Sequence, residues 1–267
     1  MDYGKLALGT AQNAIVCVVL GLVVFFLTWV LRFDRSRPEI ADPQRSVLRA
    51  LVAVAIMMVS VTAYMAIRDL DGSHGRPPMS VVDRFTALRA LRQLLLTVLT
   101  AGVPIAVAMR LGRESLASIG ITRQNVFKSL AIIAVIGVVV LLGSGRGNVV
   151  DKMHRLGSMS LGHLWAGVVC LCVGVAEEVS FRGLLQTRMI AWLGTWRGFL
   201  LTSLLMALAH FGARMIEQTI GPFDALLSSL SVLPPSLFFG FVMIRTRNVL
   251  APVLLHAFMD WQVTLSG

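Results

Sequence analysis

The chain is poor in charge. Only 14% of its 267 residues are Asp, Glu, Lys or Arg, while 56% are hydrophobic and the mean hydropathy is +0.78. A soluble domain is about one quarter charged, so the composition excludes that class and indicates a polytopic membrane protein. Acidic residues are the scarcer kind: 14 Asp+Glu against 24 Lys+Arg give a net charge of +10. No aromatic-interleaved basic patch accompanies that charge, which argues against nucleic acid as a partner. The basic residues fall mainly between apolar runs, where they anchor loops and meet the anionic headgroups of a lipid bilayer. Cysteine is limited to Cys17, Cys170 and Cys172, all within apolar runs. They read as small buried apolar residues rather than as a disulfide or metal pair. The sequence also lacks an H-E-x-x-H motif, an internal repeat, a low-complexity tract and a soluble domain.

Long apolar runs are what it has. The expected fold is all-α, a polytopic integral membrane helical bundle of about eight transmembrane helices. The spans are read at Ala14–Leu31, Val47–Ile67, Leu91–Met109, Val126–Leu142, Leu161–Phe181, Phe199–Phe211, Leu226–Ile244 and Val249–Leu265. The first is too long for a signal core and ends in R-F-D-R-S-R-P, so it is expected to be retained. Pro104 should kink the third span, and Pro234 and Pro235 should interrupt the seventh. The sixth is short unless it continues into the polar segment after it. Leu184–Trp192 reads as a short interfacial helix with Trp192 and Trp196 at headgroup level. Loop charge favours both termini outside. The protein is expected in the cell membrane as a multi-pass protein.

Charges within these runs are costly, at about 2.5–3.5 kcal/mol each on insertion scales. Three occur within six positions in V-G-V-A-E-E-V-S-F-R-G-L-L-Q: Glu177, Glu178 and Arg182. Glu178 and Arg182 are four apart, share a helix face and can pair. Glu177 is rotated about 100° from Glu178, so one carboxylate is neutralised while the other is left free. Two further apolar helices bring His210 and the pair His256 and Asp260, again four apart. The three sets must converge in the bundle interior or a wet cavity. His74, His154 and His163 fall in loops or at a span's edge and receive no role. A carboxylate and a histidine facing one water form a general base with its positioner. A second histidine opposite can donate to a developing oxyanion. These are the parts for hydrolysing an amide without a covalent intermediate. The same side chains are also good zinc ligands, and spacing alone does not decide between the two.

The order E-E-x-x-x-R (177–182), then His210, then H-x-x-x-D (256–260) resembles the CAAX prenyl endopeptidase and bacteriocin-processing family, the glutamic-type intramembrane proteases. S-L-A-S-I-G-I-T (115–122) and F-F-G-F-V-M-I-R-T-R-N-V-L-A-P-V-L-L-H (238–256) resemble the family's surroundings. The resemblance covers about residues 115–262 and divides the chain into N-terminal transmembrane helices, 1–112, and a protease core, 113–267. It implies an endopeptidase acting on a membrane-anchored peptide or protein, with a water-filled cavity open to one membrane face and no cofactor. Glu177 would be the general base and His210 would hold the attacking water. His256 and Asp260 would stabilise the oxyanion. Glu178 and Arg182 would support the site, Glu178 by orienting a histidine. Two positions depart from the family: Met206 stands where an aromatic is usual, and Asp260 where Asn is frequent. An ionised carboxylate cannot donate to an oxyanion, so Asp260 must be protonated or act by stabilising a charged His256. The rival readings are a zinc-dependent protease using Glu177, His210 and His256, and a non-catalytic immunity or binding scaffold.

Overall fold

A computed structural model of the chain describes residues 1–34, 36, 39–70, 85–143, 150, 154 and 156–264. The loop containing Gly72, His74, Gly75, Pro77 and Pro78, most of the glycine-rich stretch after Gly143, and Leu265 lie outside the described residues. Among the described residues the secondary structure is helical throughout. Seven helical stretches are long and apolar enough to cross a membrane: Tyr3–Val30, Pro43–Ile67, Ala87–Gly112, Val126–Gly143, Leu161–Leu193, Thr195–Gln218 and Pro222–Thr246. The eighth apolar run forms a helix of 15 described residues, Leu250–Thr264. At 1.5 Å per residue it is about 22 Å long. It is seated inside the bundle, with Ala251 and Leu255 fully buried. Many apolar side chains on the outer helices point outward, among them Val18, Leu22, Leu99 and Phe127, as expected of a surface facing acyl chains. The chain is a multi-pass membrane protein.

The elements are α1 (Tyr3–Val30), α2 (Pro43–Leu70), α3 (Ala87–Thr97), α4 (Val103–Gly112), α5 (Val126–Gly143), α6 (Leu161–Glu178), α7 (Thr187–Leu193), α8 (Thr195–Ala209), α9 (Phe211–Gln218), α10 (Pro222–Leu230), α11 (Leu233–Thr246) and α12 (Leu250–Thr264). Prolines and glycines set the breaks. Pro104 lacks an N–H and its ring crowds the carbonyl four residues earlier. The chain meets this with a wide π-helical turn over Val98–Gly102 before α4 starts. Pro234 occupies the first turn of α11, where a missing N–H costs nothing. Gly194, at φ +81°, separates α7 from α8. The sixth span does continue past its apolar run: α8 ends at Ala209, His210 caps it, and α9 carries the chain to Gln218.

The largest departure from expectation is the fifth span. Helix α6 does not stop at Phe181. It passes through a π-helical segment, Val179–Gln186, directly into α7. The interfacial helix predicted over 184–192 is therefore the inner end of a long helix: Leu184, Leu185, Met189 and Ile190 are all buried. Trp192 and Trp196 are exposed. His163, given no role by the sequence, closes the start of α6, its Nδ1 accepting the Ser160 N–H at 3.1 Å.

Two packing contacts place the site. A Cβ on Gly174 would stand 2.9 Å from the Val253 carbonyl, so only glycine lets α6 lie this close to α12. The 115–122 and 238–256 segments also meet. The Val249 N–H donates to the Gly120 carbonyl at 3.0 Å, and Asn248 Nδ2 donates to the carbonyls of Thr122 and Gln124 at 2.9 and 2.8 Å. The loop before α12 is thereby fixed at one end while Gly174 fixes the helix against α6.

A second charged cluster lies farther along the α6–α7 helix. Arg188 is fully buried and ion-paired to Glu114. It also donates to the Ser118 carbonyl and hydroxyl at 3.1 and 2.7 Å. Glu114 sits in the turn after α4 and accepts from Ser46 as well. Burial opposes its ionisation, but the bonds from Arg188 and Ser46 outweigh burial and hold its carboxyl below the usual range.

Candidate active site

The expected residues of the three helices meet in one place. Glu177 and Glu178 end α6, and Arg182 sits in the π-helical segment after it. His210 is at the junction of α8 and α9, and His256 and Asp260 are on α12. A cavity of about 370 Å3 is lined by Glu177, His210, His256 and Asp260, with Arg182 and Phe239 in its wall.

Glu177 Oε2 lies 3.9 Å from His210 Nε2 and 3.9 Å from His256 Nε2. These separations exceed a direct hydrogen bond. They suit a small polar molecule such as water, bonded to the carboxylate and to a ring nitrogen. Both histidines are fixed from behind. His210 Nδ1 is 2.9 Å from the Met206 carbonyl, which can only accept, so Nδ1 carries the proton. In the neutral ring Nε2 is then an acceptor facing Glu177. His256 Nδ1 is 2.8 Å from Glu178 Oε1, and its ring stacks on Phe239 with centroids 5.0 Å apart. Glu178, expected to orient a histidine, makes its contact with His256.

Glu178 is fully buried and its other oxygen lies 3.2 Å from Arg182 Nε. Arg182 Nη2 in turn donates to the Ser236 carbonyl and hydroxyl, at 3.0 and 3.2 Å. A buried ion pair needs such further bonds to hold. Asp260 is about half exposed, at the cavity rim, with Oδ2 3.4 Å from His256 Nε2. It therefore adjoins the imidazole edge that also faces Glu177.

The polar cavity residues Asn13, Arg214, Ser231 and Ser236 were not singled out from the sequence. Asn13 enters from α1, and Arg214 lies one turn after His210. Only Arg214 had a usable signal, the four-residue spacing that joins His256 to Asp260.

Neighbouring ligands on a tetrahedral zinc with bonds near 2.0–2.1 Å are about 3.3 Å apart, shorter than the 3.9 Å found here. Among the described residues no group of three or more His, Cys, Asp or Glu is arranged to hold a metal ion.

Residues 159–262 match the family model of the type II CAAX prenyl endopeptidases, Rce1-like. This segment is Rce1-like. The Rce1-like match contains all three motif-bearing helices and starts after the 115–122 segment, which lies outside it. No curated protein and no solved structure matches the chain. An Rce1-like segment on seven membrane-length helices supports a membrane-embedded peptide hydrolase.

Proposed function

We propose that the protein is an intramembrane endopeptidase that hydrolyses a peptide bond in a membrane-anchored protein or peptide, using water activated by Glu177. The observation that carries this reading is the convergence of two histidine Nε2 atoms, from separate helices, at equal distance from one oxygen of Glu177. A water held between Glu177 and His210 is placed to give up its proton to the carboxylate. His256, fixed by Glu178, presents Nε2 from the other side, where a protonated ring donates to the oxyanion that forms at the scissile carbonyl. Asp260 acts indirectly, stabilising the charged form of His256 at 3.4 Å. Arg182 holds Glu178 in place. The water oxygen forms the new C–O bond, and the proton on Glu177 leaves with the departing amine. No metal and no covalent intermediate is needed.

Residues that act as one unit are grossly non-additive. Glu177→Gln, His210→Ala and the double variant are therefore expected to lose cleavage to nearly the same extent. Losses that multiply in the double variant would mean that the two side chains do not serve the same water. The assay is turnover of a membrane-anchored peptide by protein in lipid vesicles.

A further inference from the structure

The two arginines of the cavity wall differ. Arg182 is fully buried, with Nε 3.2 Å from Glu178 and Nη2 donating to Ser236, while Nη1 has no partner among the described residues. The Arg214 side chain has no hydrogen bond or ion pair among the described residues, and its Nε is buried without a partner. Arg214 nevertheless lines the same cavity as Glu177. Its position is firm, because its N–H bonds the His210 carbonyl at 2.9 Å and so continues the helix across the junction. Glu177 and Asp260 share the cavity, yet neither forms an ion pair with Arg214. A guanidinium presents five donors in a rigid fork that matches a carboxylate. Held part-buried with those donors unused, it favours an anionic guest and discriminates against a neutral analogue.

We propose that Arg214 docks a carboxylate of the peptide substrate, a short way along the chain from the scissile bond. This rests on the peptidase reading above. Four residues of helix rise about 6 Å and an extended peptide advances about 3.3 Å per residue, so the carboxylate falls roughly two residues from the bond facing Glu177. Arg214 is a specificity residue in this scheme and takes no part in moving protons.

The test uses the full chain in lipid vesicles, in a Glu177→Gln background so that binding is read without turnover. Two fluorescent peptides share one prenylated CAAX sequence; one ends in a free carboxylate and the other in an amide. The acid is expected to bind about tenfold more tightly, a discrimination in the range of a charge-assisted hydrogen bond. Adding Arg214→Gln should abolish that ratio by weakening the acid alone, and Arg214→Lys should restore part of it. Unchanged amide binding shows that the fold is intact. A third peptide, amidated but ending in aspartate, separates the sources: regained affinity assigns the contact to a side-chain carboxylate, and none assigns it to the chain terminus. Equal binding of acid and amide, a preference that survives Arg214→Gln, or binding of neither peptide would overturn the proposal. Product formed in the Glu177→Gln background would instead count against the mechanism, and it is detected separately from the binding ratio.

Discussion

Glu177 and Arg188 lie on one continuous helix, eleven residues apart, in charged clusters built on opposite plans. Around Arg188 the fork is filled: Glu114, the Ser118 hydroxyl and three carbonyls accept from it, with Thr187 beside them. Around Glu177 the contacts stop at 3.9 Å, the side chain is about one quarter exposed, and a cavity adjoins it. Closing every bond is how a bundle tolerates charge away from water. An open cluster serves no such end, and groups left incompletely paired beside a cavity are what the proposed chemistry requires. Glu178 stands between the two plans. It is buried and paired like Glu114, yet it holds a histidine of the open cluster.

Four substitutions or treatments sharpen the contrast. The largest effect is expected at Glu178→Ala, which strands Arg182 and releases His256. Breaking one side of a buried pair costs about 3–5 kcal/mol, so the midpoint of thermal unfolding in detergent should fall and cleavage should be lost with it. Arg188→Met should cost a similar or smaller amount, because Glu114 keeps Ser46 and Arg49. Here the folded fraction, measured by size-exclusion recovery, should fall while turnover per folded molecule is maintained. Asp260→Asn should change turnover by less than about tenfold, since an amide can donate to the oxyanion directly in place of supporting His256. Activity lost completely in that variant would give Asp260 a proton-transfer role instead. The smallest effect is expected from chelation: turnover after dialysis against a strong chelator should match the untreated sample, and recovery only on adding zinc would favour the metal-dependent alternative.

Much of the open cluster was legible because its geometry is local. Glu178 pairs with Arg182, and His256 adjoins Asp260, by the four-residue rule for helices. The high cost of charge in apolar runs then required that the separate helices meet. The closed cluster was illegible for the complementary reason. Glu114 sits in a turn, where charge is ordinary, and Arg188 fell inside the stretch read as an interfacial helix, where a basic residue is ordinary too. Only the tertiary fold shows that the Ser115–Thr122 segment folds over it. The π-helical segment from Val179 was also invisible, because its composition is that of any apolar helix and packing decides its pitch. The π-helical turn before Pro104 and the break before Pro234 and Pro235 lie where the sequence leads one to expect a disturbed helix, since a missing N–H is a property of the residue itself.

The central claim is that Glu177 is held open for chemistry and does not hold the fold together. It is tested most directly by measuring turnover and thermal stability on the same purified Glu177→Gln sample. Cleavage should fall by about 10²–10⁴-fold, the usual contribution of a general base, with the unfolding midpoint unchanged or raised. Turnover near that of the parent, or a loss of activity that merely follows a loss of folded protein, would contradict it.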